Sequence, residues 1–245
     1  MKYERHMRAA ACVNAAIGLT LTVACTSARA DNWWSSVAQY RSDIVYQSIQ
    51  MMEMVAIAGV LAIVVAVPVG IYMSRPSQRH GAAVVMQTLN VGQAVPKLAL
   101  LALAMSVMGI GRVPAIFGLW VATLLPIALN TYEGLRAVPR ALIEAATGMG
   151  MTPLQILWRV ELPNALYVIF AGIRTALAIT VGTAPLAFLI GGGGLGELIF
   201  TGIDLNDFTM LLAGAIPTAL LAIFTDVFVG QVQRGLVSRG VNPQS

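Results

Sequence analysis

The chain alternates between long apolar stretches and short polar ones. Five stretches of at least 18 residues carry no Asp, Glu, Lys or Arg: Ala9–Ala28, Met54–Ser74, Val113–Tyr132, Thr175–Gly196 and Phe208–Thr225. Each is close to the roughly 20 residues that a bilayer-spanning helix needs. Two further regions are interrupted by a single charge, Gly81–Ile110 by Lys97 and Leu162–Ile190 by Arg174. Read as one helix each, with the last absorbing the overlapping Thr175 stretch, they predict six spans. Composition agrees. Of 245 residues 58% are hydrophobic and 11% charged, whereas a soluble domain carries about 25% charged residues. The fold class is all-α, a polytopic helical membrane protein.

Charge distribution orients the spans. With the N-terminus inside, the cytoplasmic segments are 1–8, 74–82, 131–163 and 231–245, and they hold ten cations: Lys2, Arg5, Arg8, Arg75, Arg79, Arg136, Arg140, Arg159, Arg234 and Arg239. The external side receives Arg29, Arg41 and Arg112. That excess follows the positive-inside rule and explains the net charge of +4 without a nucleic-acid partner. Trp33 and Trp34 fall just outside the first span, where an aromatic belt is expected. The first segment, 1–30, reads as a signal anchor or a signal peptide. It has a basic start and an apolar middle, and Ala28-Arg29-Ala30 resembles a cleavage site. Residues 31–44 form an external segment, 45–235 the transmembrane domain, and 236–245 a cytoplasmic tail.

Several chemistries are excluded. His6 and His80 are not spaced as metal ligands, and Cys12 and Cys25 both lie in the first apolar segment. No metal, cofactor or catalytic group is expected. No G-x-x-x-x-G-K-[ST] occurs, and the glycine cluster Gly191, Gly192, Gly193 and Gly194 lacks the lysine of a phosphate loop.

Residues 131–163 are too long for a structureless connection and predict two short amphipathic helices. Pro139 suits a first turn, and Leu142, Ala145, Ala146 and Met149 form a helical stripe that Gly148 and Gly150 end. Thr152, Pro153 and Gln155 predict an N-cap with a capping box, and Pro163 closes the second helix before the next span. Such a pair either lies on lipid headgroups or docks in a groove of a soluble partner.

Glu144-Ala145-Ala146, then Gly150, then Val160-Glu161-Leu162-Pro163 resembles the EAA signature of binding-protein-dependent ABC transporter permeases, E-A-A-x3-G-x9-I-x-L-P, with Val160 in place of Ile. The resemblance covers about residues 45–235. Leu89-Asn90-Val91-Gly92-Gln93-Ala94-Val95-Pro96 followed by Leu98-Ala99-Leu100-Leu101, Gly109 to Ile116 and Asn130 to Leu135 are similar to segments of the osmoprotectant branch, which transports glycine betaine, choline, carnitine and relatives. Lys97 departs from that pattern, which has a small polar residue there. The resemblance implies a type I importer fold, with five core spans plus the N-terminal anchor, in a bacterial-type inner membrane. It implies a permease that leaves ATP hydrolysis to a separate ATPase subunit. That subunit would engage Glu144, Ala145, Ala146, Gly150, Leu162 and Pro163. An external binding protein, a second permease chain and membrane lipid are the other implied partners. The competing readings are a methionine-type amino-acid permease, an ion-coupled secondary transporter and, least supported, an intramembrane enzyme.

Ionisable residues inside spans are costly and are functional candidates by default. On straight helices Glu53 lies about 12 Å below the outer surface and Lys97 about 9 Å, which leaves three readings: a Glu53–Lys97 pair, a pathway role for either residue, or a side chain that snorkels to the headgroups. Arg174 and Asp226, toward the cytoplasmic ends of the last two spans, are a second candidate pair. Asn90, Gln93, Pro96, Lys97, Glu53 and Gly191 to Gly194 are the pathway or gate candidates. Prolines Pro126, Pro185 and Pro217 mark possible helix breaks.

Overall fold

The computed structural model describes residues 39–75 and 79–236. The 1–30 segment, both cysteines, Trp33, Trp34 and the tail beyond Leu236 lie outside the described residues. The helices are α1 (Arg41–Met73), α2 (Arg79–Gln93), α3 (Lys97–Met108), α4 (Arg112–Arg136), α5 (Arg140–Gly148), α6 (Pro153–Ile156), α7 (Leu162–Thr183), α8 (Gly196–Asp204) and α9 (Phe208–Leu236). A π-helical turn, Leu157–Glu161, joins α6 to α7, and a 3-10 segment, Ala184–Ile190, extends α7. The described residues are all helix and turn.

Four of these are apolar and long enough to cross a membrane: α1, α4, the run Pro153–Ile190, and α9. A fifth crossing exists if α2 and α3 count as one broken span. The apolar character runs around each helix. On α1, Met51, Met54, Val55, Ala58, Ala62 and Ala66 are buried, while Ile57, Val60, Leu61 and Val64 on the opposite side are exposed. A helix apolar on both faces is a core or membrane helix, and here the exposed face is one that lipid or a partner chain covers.

The core has two halves. Near the outer end, Met51, Met54 and Val55 pack with Leu119, Val181, Ile190, Leu195 and Leu198. Near the inner end, Ala62 and Ala66 pack with Ile127, Leu135, Ile169 and Ile173. Small residues bring the backbones close, the usual device where lipid removes the hydrophobic drive between helices. A Cβ on Gly70 would stand 2.6 Å from Thr131, and one on Gly172 would stand 2.4 Å from Asn130. Between these crossings Thr123 and Thr180 share a buried hydroxyl hydrogen bond of 2.8 Å from α4 to α7.

Two sequence expectations need correcting. Gly81–Ile110 is not one straight span. It bends by 100° between Val84–Gln93 and Lys97–Met108. Pro96 has no N–H for a helical bond, and the residue before a proline is driven out of the helical region. The chain therefore turns at Ala94 and Val95 and restarts with Pro96 as the N-cap of α3. The second correction follows from the first. A depth counted along a straight helix does not apply to Lys97, and the Glu53–Lys97 pair is not formed. Glu53 accepts from Arg112 at 2.8 Å instead, and Lys97 makes no ion pair among the described residues.

Candidate functional site

The end of the bundle that the charge bias assigns to the cytoplasm is built from the last turns of α1 and α4 and from the 131–163 segment. Pro139 caps α5, which starts at Arg140 and ends at Gly148. Gly150 then turns the chain with φ +78°, and its α-carbon faces open space: an added Cβ would have nothing within 4 Å. Only glycine adopts that conformation without strain. Thr152 caps α6 as a full capping box: Gln155 N–H donates to Thr152 Oγ1 at 3.4 Å, and Thr152 N–H donates to Gln155 Oε1 at 2.9 Å.

The second helix of the segment is shorter than its stripe suggested. After the four residues of α6 the backbone passes through the π turn and runs without a break into α7. Pro163 therefore does not end a helix. It lacks the N–H that would reach the Arg159 carbonyl, and a wider turn accommodates that loss. Leu162 N–H donates five residues back to Leu157, and the Asn164 amide donates to the Val160 carbonyl at 2.6 Å.

Burial divides the segment into an anchored side and a free side. Ala146 and Ile156 are buried, and Ile143 is half-buried against the spans. Glu161 is buried as well and accepts from Arg75 Nη2 at 2.6 Å; Arg75 also donates to the Ile71 carbonyl and to Ser74 Oγ. Leu162 and Pro163 are half-buried at the start of α7. A pocket of about 140 Å³ lined by Arg75, Tyr132, Arg136, Arg140, Ile143 and Glu161 lies between them. On the free side Glu144, Ala145 and Gly150 are exposed, together with Leu142, Met149 (72%), Leu154 and Trp158 (61%). The predicted stripe thus faces outward except at Ala146. An apolar, rigidly mounted face of this kind fits a partner groove.

The broken α2–α3 pair holds four of the pathway candidates, Asn90, Gln93, Pro96 and Lys97. Met86 is buried, Leu89 is half-buried, and both pack beside Tyr132. Gln87, Thr88, Asn90 and Val91 are exposed, Gln93 and Lys97 are half-buried, and Pro96 is exposed at the bend. Gln87 and Thr88 were not among the sequence candidates, yet they continue the polar side of α2. The signal was the one-turn spacing of Gln87 and Asn90, hidden while 81–110 was read as one apolar span.

The other end is closed by the glycine cluster, which is packed, not loose. Gly194 N–H donates to Gln50 Oε1 at 2.9 Å, and a Cβ on Gly193 would come within 2.7 Å of the same amide. Gly111 N–H donates to the Ile190 carbonyl at 2.9 Å, so the cluster ties α1, the start of α4 and the end of the 3-10 segment together. Beside it Gln47 Nε2 donates to Glu197 at 3.1 Å. Asp207 caps α9 by accepting from the Thr209 and Met210 N–H groups. Tyr40 donates to Asp207 across 3.4 Å, and burial and then that carboxylate push its hydroxyl pKa above the usual phenol value. Glu197 and Asp204 are exposed. The short helix α8, which separates the glycine cluster from the last span, was not foreseen.

The last two spans are joined in the membrane by Arg174 and Asp226. Arg174 Nε and Nη2 donate to the two carboxylate oxygens, each at 2.5 Å. Among the described residues no group of His, Cys, Asp and Glu is placed to hold a metal ion.

Comparison with known proteins converges on one family. Residues 66–238 match the model for the binding-protein-dependent transport system inner membrane component. The osmoprotectant import permease protein OsmY of Salmonella typhimurium is 52% identical over 79% of this chain and 82% of its own length. The choline transport system permease protein OpuBB of Bacillus subtilis is 40% identical over 81% of this chain and 91% of its own. The carnitine transport permease protein OpuCD of Listeria monocytogenes is 44% identical over 72% and 79% respectively. Among solved structures, a chain of the inward-facing MetNI methionine ABC transporter superposes with a TM-score of 0.67 at 26% identity, covering 80% of this chain and 96% of that one.

Proposed function

Because this chain belongs to the inner-membrane components of binding-protein-dependent transport systems, we propose that it is the pathway-forming permease of an ATP-driven importer for a quaternary-ammonium osmoprotectant, such as glycine betaine, choline or carnitine. The observation that carries the substrate class is the similarity, at 40 to 52% identity, to permeases named for osmoprotectants and choline. The methionine transporter shares the fold at 26% identity, so the amino-acid alternative has the weaker support. The chain is a transport component and not a catalytic subunit.

In this reading ATP is hydrolysed by a separate subunit that seats on the outward face of α5 and α6, around Leu142, Glu144, Ala145, Met149 and Trp158. Gly150 sets the angle between the two helices. Leu162 and Pro163, through the uninterrupted π turn, carry any displacement of that face into α7. Glu161 and Arg75 carry it into α1. ATP closes the ATPase dimer and the binding protein arrives from outside. Each shifts the spans between inward- and outward-open states by as much as its affinities for the two states differ.

A second permease chain covers part of the exposed apolar surface and completes the pathway. The polar side of α2, with Gln87, Thr88, Asn90 and Gln93, and the break at Pro96 and Lys97 line it. Broken helices and exposed polar groups inside a membrane belong at transport sites more than against lipid. The acidic outer surface at Glu197, Asp204 and Asp207, held by Gly191 to Gly194, receives the binding protein. Co-purification tests the arrangement: the ATPase subunit should be retained by the native chain and lost when Leu142, Met149 and Trp158 are replaced together by Asp. Retention by that variant would contradict it.

A further inference from the structure

Arg174 and Asp226 stand where neither packing nor docking accounts for them. The guanidinium holds the carboxylate through two bonds of 2.5 Å, the strong bidentate geometry. Yet the two side chains remain 43% and 35% exposed. Counting helix rise, Arg174 lies about 18 Å from Leu162 along α7, and Asp226 about 12 Å from Arg234 along α9. Both depths fall inside a hydrocarbon core about 30 Å thick. Charges left open at that depth do not face acyl chains.

The surroundings leave room beside the pair. Ala171 and Ala178 flank Arg174 by one turn on α7, and Ala222 and Gly230 flank Asp226 on α9; all four are half-buried. A Cβ on Gly230 would lie only 3.5 Å from Arg174 Cζ, so the missing side chain leaves the guanidinium uncovered. Of the other two ion pairs among the described residues, Arg75–Glu161 lies where α1 ends and α7 begins, and Arg112–Glu53 joins the first residue of α4 to the side of α1.

We propose that Arg174 and Asp226 form a substrate contact in the translocation pathway, matched to zwitterions that carry both a quaternary ammonium and a carboxylate. This rests on the osmoprotectant reading above. The substrate carboxylate takes the Arg174 guanidinium, and the quaternary ammonium takes the Asp226 carboxylate. One ion pair is exchanged for two, so no charge is left bare in a low-dielectric site. A substrate with the cation alone, such as choline, engages Asp226 and leaves Arg174 uncompensated. The pair therefore favours betaines over choline at the translocation step, separately from selection by the binding protein.

The test uses the complete importer, this chain with its ATPase and binding protein, in proteoliposomes. Uptake is measured at saturating binding protein loaded with glycine betaine or with choline. Arg174→Gln should lower betaine uptake by about tenfold or more, the effect of losing one charge-assisted contact, while choline uptake is maintained or rises. Asp226→Asn should lower both. If either single variant fails to assemble, Arg174→Gln with Asp226→Asn carries the test. That neutral pair should assemble with the ATPase subunit yet lose betaine uptake. Ala178→Cys and Ala222→Cys should react with a membrane-impermeant thiol reagent in the assembled importer. Betaine uptake by the double variant at the native rate, or cysteines that stay unreactive, would overturn the proposal and assign the pair to a contact between chains. Failure of the native importer to move any quaternary-ammonium substrate would instead reject the transport reading on which it stands.

Discussion

Arg75 donates to Glu161 across 2.6 Å, tying the inner end of α1 to the turn through which α6 becomes α7. The two side chains are only 26% and 12% exposed, so the link is more than a surface ion pair. It is the one ionic connection among the described residues between the 131–163 segment and a different span. Breaking a part-buried pair costs more than breaking an exposed one. Glu161→Gln and Arg75→Gln should each lower stability by about 1–3 kcal/mol. They should also raise ATP hydrolysis per substrate moved. A double-mutant cycle on thermal stability should show coupling above about 0.5 kcal/mol; additive losses would mean that the contact does not form in the working protein.

Gly150 makes a sharper prediction because its α-carbon has space but the wrong torsion for other residues. At φ +78°, with nothing within 4 Å, a substitution is penalised by backbone strain and not by a clash. Gly150→Ala should cost about 1–2 kcal/mol in this segment, and Gly150→Asn less, since asparagine tolerates the left-handed region. ATPase binding should fall in the order Gly, Asn, Ala. An alanine variant that binds better than the asparagine variant would show that the torsion is not what matters.

The opposite holds at Gly196, where the space and not the torsion is limiting. A Cβ there would meet the Pro185 carbonyl oxygen at 2.0 Å. Gly196→Ala must push α8 away from the 3-10 segment, an overpacking cost of about 1–3 kcal/mol. A lowered melting temperature in detergent checks this; an unchanged one would mean that α8 docks elsewhere.

Glu53 and Arg112 should matter little to stability. Both are well exposed, at 57% and 45%, and exposed pairs contribute about 0–1 kcal/mol. Glu53→Gln should leave the melting temperature nearly unchanged, while a loss comparable to that of Glu161→Gln would place Glu53 in a buried network.

Much of the fold was readable because bilayer thickness fixes span length, and four of the apolar runs became the expected crossings. The capping box at Thr152 and Gln155 was equally readable, since both of its hydrogen bonds are local. The bend at Pro96 was hidden by composition: the Gly81–Ile110 run is apolar on both sides of the break, and hydropathy carries no information on direction. The Glu53–Lys97 expectation failed with it, because the depth of Lys97 was counted along a helix that does not continue. Pro163 misled for a related reason. Proline signals a helix end when read alone, but the π turn before it absorbs the missing hydrogen bond. The Arg75–Glu161 link joins residues 86 apart in sequence, which no local pattern could pair, although Glu161 lies within the EAA signature itself.

The central claim is an ATP-driven permease for quaternary-ammonium osmoprotectants, and transport in a defined system tests it most directly. The chain is reconstituted with its cognate ATPase and binding protein, and uptake of labelled glycine betaine, choline, carnitine and methionine is compared with and without internal ATP. The account predicts uptake of at least one of the three quaternary-ammonium compounds that requires both ATP and binding protein, with no uptake of methionine. Uptake of methionine alone, or betaine uptake driven by an ion gradient without ATP, would contradict it.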